Sequence, residues 1–139
     1  MAEPRDGADE LNPRECWEHL RSEAYGRLAV MDDDGPSIYP VNVLVDHATL
    51  VFRTTEGTKL DALRADPRVA FEVDGFDPES GNSWSVAIRG KASEIVVPRE
   101  AVEVMELDLT PWQAGPKPVV VRIVPNAVTG RRFRRSGAR

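Results

Sequence analysis

Residues 27–53 read "RLAVMDDDGPSIYPVNVLVDHATLVFR", and the period of that stretch decides the fold. Leu28 and Val30 stand two apart, and so do Tyr39, Val41, Val43 and Val45. A period of two sends one set of side chains to one face of a sheet. The run "DDDG" signals a turn and "DHA" a tighter one, so three strands follow one another through short links. Pro40 has no N–H to give, which puts the second of these strands at an edge or on a bulge.

Upstream, "NPRE" predicts a helix start, with Asn12 as N-cap, Pro13 at the first helical position and Glu15 completing a capping box. Trp17, Leu20 and Cys16 form its apolar stripe, and the helix is expected to end near Tyr25 and Gly26. Downstream, Thr58 to Arg64 reads as a second helix. Thr58 is its expected cap, Asp61 sits at the reciprocal position, and Leu60 and Leu63 are its buried contacts. "VAFEVDGF" is a strand with Val69, Phe71 and Val73 inward, and "SWSVAIRGKASEIVV" is a longer one in which Gly90 marks a bulge. Pro98 opens a third helix carrying Val102, Met105 and Leu109, and "PVVVRIVP" is the last strand. Six strands with hairpin-length links and three short helices do not make β-α-β units. They predict a mainly β fold, an antiparallel barrel with short peripheral helices.

The chain has 139 residues, enough for one domain with a single core. The expected division is a loose leader at 1–10, one domain at 11–130 and a basic tail at 131–139. Hydrophobic residues make up 41% and charged residues 29%, the balance of a globular protein and not of a disordered one. No apolar run approaches the ~20 residues that span a bilayer, and the acidic start "MAEPRDGADE" has no secretory apolar stretch, so no membrane role is expected. A single cysteine, Cys16, fits a reducing, cytoplasmic setting. The net charge of -5 conceals a division, because the last nine residues hold five arginines and leave 13 basic against 23 acidic residues elsewhere. So negative a body repels a nucleic-acid backbone, and no nucleic-acid partner is expected.

Several chemistries are unsupported. Two histidines, His19 and His47, and one cysteine give no metal set. Cys16 and His19 could meet on one helix turn, but a buried thiol and a surface imidazole are the ordinary reading. No nucleophile elbow, dinucleotide fingerprint or Walker loop is present, and Asp32, Asp33 and Asp34 read as a solvated turn.

One corner is different. After the third strand, "VFRTTEGTKL" (51–60) sets Arg53 and Lys59 around Thr54, Thr55, Gly57 and Thr58. A phosphate monoester carries about -1.5 to -2 charge and three acceptor oxygens. Arg53 supplies a planar fork, Lys59 a point charge and the threonines hydroxyl donors. The start of the second helix adds backbone amides at the positive end of its dipole, and Gly57 lets that backbone come close.

The order of "YPVN" on the second strand, "RTTEGTK" after the third and "WSVAIRGKA" on the fifth resembles the pyridoxamine 5'-phosphate oxidase-related family of flavin-binding split barrels, over roughly residues 12–133. The resemblance implies a six-stranded antiparallel split β-barrel and a homodimer with FMN in clefts between subunits. It implies that Arg53, Thr54, Thr55, Thr58 and Lys59 hold the phosphate and ribityl chain. Pro40, Val41 and Asn42 would then lie beside the isoalloxazine. Trp84, and less firmly Arg89 and Trp112, would cover the ring from the opposite subunit, with core or interface packing as the ordinary alternative for the tryptophans. No side chain is assigned as catalytic, because the flavin carries the redox chemistry on a small-molecule substrate. Pyridoxamine phosphate itself is disfavoured, since no histidine follows His47; Arg131, Arg132, Arg134 and Arg135 mimic only some of the family's substrate-binding segment, and a solubilising tail is their ordinary reading. A deazaflavin cofactor and a non-enzymatic flavin-binding sensor module are the rival readings. Haem lacks an evident axial ligand.

Overall fold

The computed structural model describes residues 8–23, 25–95 and 119–134. The helix expected from Pro98, and Trp112, lie outside the described residues. Strand β1 (Ala8–Glu10) is followed by α1 (Pro13–Ser22), then β2 (Tyr25–Asp32), β3 (Gly35–Asn42), β4 (Leu44–Asp46) and β5 (Thr49–Thr54). Helix α2 (Thr58–Ala65) leads to β6 (Arg68–Phe76), β7 (Ser83–Glu94) and β8 (Val119–Phe133).

All pairings are antiparallel, in the order β3-β2-β6-β7-β8-β5-β4, with β1 added to β8. The two ends of that path, β3 and β4, are separated in sequence only by Val43. The sheet must therefore curl until its first and last strands meet, which makes a half-barrel. Among the described residues eight strands stand where six were expected. Val43 divides one expected strand into β3 and β4, and β1 was read as leader.

The period-two reading predicted the inner face well. Leu28, Val30, Val41, Val43, Val69, Phe71 and Val73 are all buried in one cluster, and Tyr39 and Val45 pack against it partly buried. Pro40 lies on β3, the edge of the path, and the β7–β8 register shifts between Arg89 and Gly90, where a bulge was expected. Helix α1 starts as predicted, since Asn12 Oδ1 accepts from the Glu15 amide at 2.9 Å and Glu15 Oε1 accepts from the Asn12 amide at 3.2 Å. Cys16 and Leu20 point from it into the core.

Ala8–Glu10 pairs with Arg131–Phe133, so the divisions placed at residues 10 and 131 fall inside a strand pair. Arg134 Nη2 lies 2.7 Å from Asp9 Oδ2, and Arg132 lies 3.8 Å from Asp9 and from Glu15. Opposite charges on leader and tail face one another across the pair.

The β4–β5 hairpin turns on His47 and Ala48, with φ of 49° and 59°. Two central residues at positive φ define the turn that normally takes Asn-Gly. Arg122 braces it, donating to Asp46 Oδ2 at 2.9 Å and to Thr49 Oγ1 at 2.6 Å. The hydrogen bond from Arg122 holds the Asp46 carboxyl below its ordinary value of 3.8. A depressed carboxyl contributes stability above its unfolded value and loses it as pH falls through the folded one. Thermal midpoints measured from pH 7 to 2 should therefore drop below about pH 4, and Asp46→Asn should flatten that limb; an unchanged acid limb would refute the brace.

Candidate functional site

Arg53 is the last outward residue of β5, since Leu50, Phe52 and Thr54 alternate inward. It stands opposite Val120 of β8, beside a small outer cluster in which Val51 and Val120 are buried with Leu44 and Ile95 packed on them. By the same alternation Pro40 and Asn42 face outward from β3 while Val41 faces the core. Leu44 pairs with Val51, so extending that register by two residues sets Asn42 level with Arg53. In that register Asn42 and Arg53 fall on the same face of the sheet, beside the Val51 and Val120 cluster.

Helix α2 begins without a side-chain cap. Its N-cap is Gly57, at φ 157° and ψ -171°, a conformation that side chains with a Cβ rarely adopt. Thr58 is the first helical residue, not the cap, and Asp61 closes no capping box; the Asp61 amide instead donates to Gly57 O at 2.9 Å. The amides of Thr58, Lys59 and Leu60 have no acceptor within the helix by the geometry of its first turn. Thr55 and Thr58 are exposed beside them.

Lys59 is held over two rings, its Nζ 5.5 Å from the centroid of Tyr39 and 5.9 Å from that of Phe52. Such contacts position a cation at a stabilisation of about 0.5–1 kcal/mol each when exposed. Tyr39 belongs to β3, so this contact ties the strand to the corner. Sequence reasoning placed Tyr39 on one face with Val41, Val43 and Val45 and missed its bearing on Lys59.

Thr54 is placed differently from its expectation, and Trp84 meets neighbours of its own chain. Thr54 is only 4% exposed, and its hydroxyl turns to its neighbour's carbonyl, 3.5 Å from Thr55 O. It anchors the corner and does not offer its hydroxyl there. Trp84 stacks on His19 of its own chain, ring centroids 3.8 Å apart and 17° from parallel. Its indole also lies over Gly75, where a Cβ would come within 2.6 Å of the ring. Burial holds the His19 imidazole below its ordinary 6.5, so the stack is between neutral rings at pH 7. Trp84 and Glu94 lie at opposite ends of β7, and Glu94 pairs with Val121, next to the partner of Arg53. At about 3.3 Å per residue, roughly 30 Å of strand separates Trp84 from the corner of the same chain. Arg89 borders a trough of about 530 Å³ on the outer face of β2, β6 and β7, with Ala29, Met31, Ala70 and Arg68.

Whether a flavin phosphate fits can be judged from the donor set. The corner holds two cations, two exposed hydroxyls and three helix-start amides, and among the described residues Asn42 Oδ1 is buried without a hydrogen-bond partner. A buried acceptor left alone is costly and marks a place for a donor. A ligand with an anion at one end and N–H or O–H groups at the other satisfies both. Among the described residues no cluster could hold a metal, and no helix is long and apolar enough to cross a membrane.

Comparison with known proteins agrees. The pyridoxamine 5'-phosphate oxidase family profile matches residues 12–132. The chain belongs to the pyridoxamine 5'-phosphate oxidase-like family of FMN-binding split barrels. Among solved structures, a Corynebacterium glutamicum protein named as a candidate pyridoxamine 5'-phosphate oxidase is 38% identical, with a TM-score of 0.82 over 92% of this chain and 99% of that one. The FAD binding protein of Mycobacterium smegmatis is also 38% identical, with a TM-score of 0.75 over 91% of this chain and 98% of that one. Rv0080 of Mycobacterium tuberculosis, itself uncharacterized, is 34% identical over 89% of this chain and 84% of its own length.

Proposed function

We propose that this split barrel is an FMN-dependent oxidoreductase acting as a cytoplasmic homodimer on a small molecule other than pyridoxamine phosphate. One observation carries the reading: an uncapped helix start follows Arg53 and carries Lys59 in its first turn. Arg53, Lys59, Thr55, Thr58 and the helix amides hold the phosphate. Pro40 and the Val41 backbone lie along the ring, and the Asn42 amide meets its polar edge. When bound, the flavin supplies the hydride or electron transfer. The chain's own residues bind, orient and shield it. None is assigned as nucleophile or proton donor.

The homodimer is part of this reading. Trp84 lies roughly 30 Å along the strand from the phosphate corner of its own chain and is engaged there with His19. In this reading a second subunit brings such a side chain, or the Arg89 trough, over the flavin.

The test is the spectrum of the purified protein, mass identification of the released chromophore, and titration with FMN, riboflavin, FAD and a deazaflavin. FMN should bind at least ~100-fold more tightly than riboflavin, about 3 kcal/mol for two charge-assisted contacts. Equal affinities would remove the phosphate site. The FAD binding relative from Mycobacterium smegmatis makes FAD the second reading, favoured if FAD is the chromophore released. Binding without turnover of a reductant and an acceptor would leave a sensor module.

A further inference from the structure

The corner contains one acid, Glu56, between the two cations that the proposed phosphate site depends on. A carboxylate immediately before an uncapped helix start is itself a good partner for the first amides and for the dipole. Left alone, it would compete with any incoming anion, and Arg53 and Lys59 are each three residues away. The structure shows where it goes instead. Arg64, near the far end of α2, grips both oxygens of Glu56, with Nη1 to Oε1 at 2.6 Å and Nη2 to Oε2 at 3.0 Å. The same guanidinium donates from Nε to Glu94 at the end of β7, and its Nη1 lies 3.9 Å from Asp61. The hydrogen bonds of Arg64 hold the Glu56 carboxyl below its ordinary value, so it stays charged and attached.

A guanidinium that meets one carboxylate in a fork and a second through Nε has its orientation fixed from two directions. Glu94 belongs to the sheet and Glu56 to the short link before the helix, so the clip sets the loop against the barrel. Surface ion pairs as exposed as these, 43% for Arg64 and 66% for Glu56, contribute little to global stability. Their effect is local and electrostatic.

Resting on the phosphate reading above, we infer that Arg64 is a positioning residue that withholds the Glu56 carboxylate from the anion seat at the start of α2. Arg64 touches no ligand in this role. Without it, Glu56 becomes a built-in competitor for a phosphate and for no uncharged ligand.

FMN and riboflavin titrations on the full chain, by flavin fluorescence, separate this from simple scaffolding. Arg64→Gln should weaken FMN about tenfold or more and leave riboflavin within about twofold, with the loss shrinking as salt rises. Arg64→Gln combined with Glu56→Gln should recover FMN affinity to within about threefold of the unmodified protein, although it restores no clip. The inference is overturned if the double variant stays as weak as Arg64→Gln, or if Arg64→Gln binds FMN normally. Failure of the unmodified protein to prefer FMN over riboflavin overturns the phosphate reading as well, and so is told apart from failure of the clip alone.

Discussion

Replacing Arg53 and Lys59 together by alanine is expected to weaken FMN binding by at least ~100-fold while the protein stays folded. Hydrogen bonds to charged groups are worth about 1.5–3 kcal/mol each, and 1.4 kcal/mol is tenfold in affinity. Two such contacts therefore give two decades or more. Arg53 is the larger loss because its planar fork meets two oxygens at once, where Lys59 meets the anion as a point. The cost to folding is small by comparison. Arg53 stands outside the core, and Lys59 gives up its contacts over Tyr39 and Phe52, about 0.5–1 kcal/mol apiece. Riboflavin affinity should hardly change, and the FMN preference of the unmodified protein should decline below about pH 6, where the phosphate dianion takes up a proton. FMN retention by the double variant within a few-fold of the original would place the flavin phosphate elsewhere.

The strands and the corner were legible because they follow short-range rules. A period of two in "SIYPVNVLVD" is imposed by the pleat itself, and the Asn12–Glu15 box closes within three residues. Elsewhere the deciding contact is remote. Ala8–Glu10 is three polar or small residues that form a strand only because Arg131–Phe133 comes alongside. Glu56 and Arg64 are eight apart with the helix start between them, so the fork that joins them has no sequence signal. Thr54 is an instructive intermediate. Its inward orientation follows from Leu50 and Phe52 by the same alternation that placed the strand, but a hydroxyl beside Arg53 suggested a ligand and outweighed the period. Thr58 as cap failed for a similar reason, since Gly57 accepts the backbone geometry that the cap position takes here.

Gly26 gives the second large effect and shows how the fold reaches the site. The sequence places it at the end of a helix, yet α1 ends at Ser22 and Gly26 lies inside β2, opposite Val41. A Cβ there would collide with the Glu72 carbonyl oxygen and come within 2.6 Å of Phe71 Cζ and 2.8 Å of Val73 Cγ1. The two side chains can shift, but the carbonyl belongs to β6, whose neighbouring residues pair with β2 through Arg27–Glu72 and Leu28–Phe71. Gly26→Ala must therefore push β2 away from β6 in the middle of the sheet, and about 3 kcal/mol, the upper end for overpacking, is the expected loss. For a domain of this size that is roughly a 10 °C fall in thermal midpoint. Trimming the aromatic contact with Phe71→Leu in the same chain should not recover it, because the backbone clash remains. The neighbouring pair is Tyr25 with Asn42, so any displacement of β2 at this level also moves the orphan acceptor of the proposed flavin site. FMN affinity of the folded fraction should fall with stability, and a Gly26→Ala protein that melts within about 2 °C of the original, a loss well under 1 kcal/mol, would show that β2 and β6 are not packed as closely as this requires.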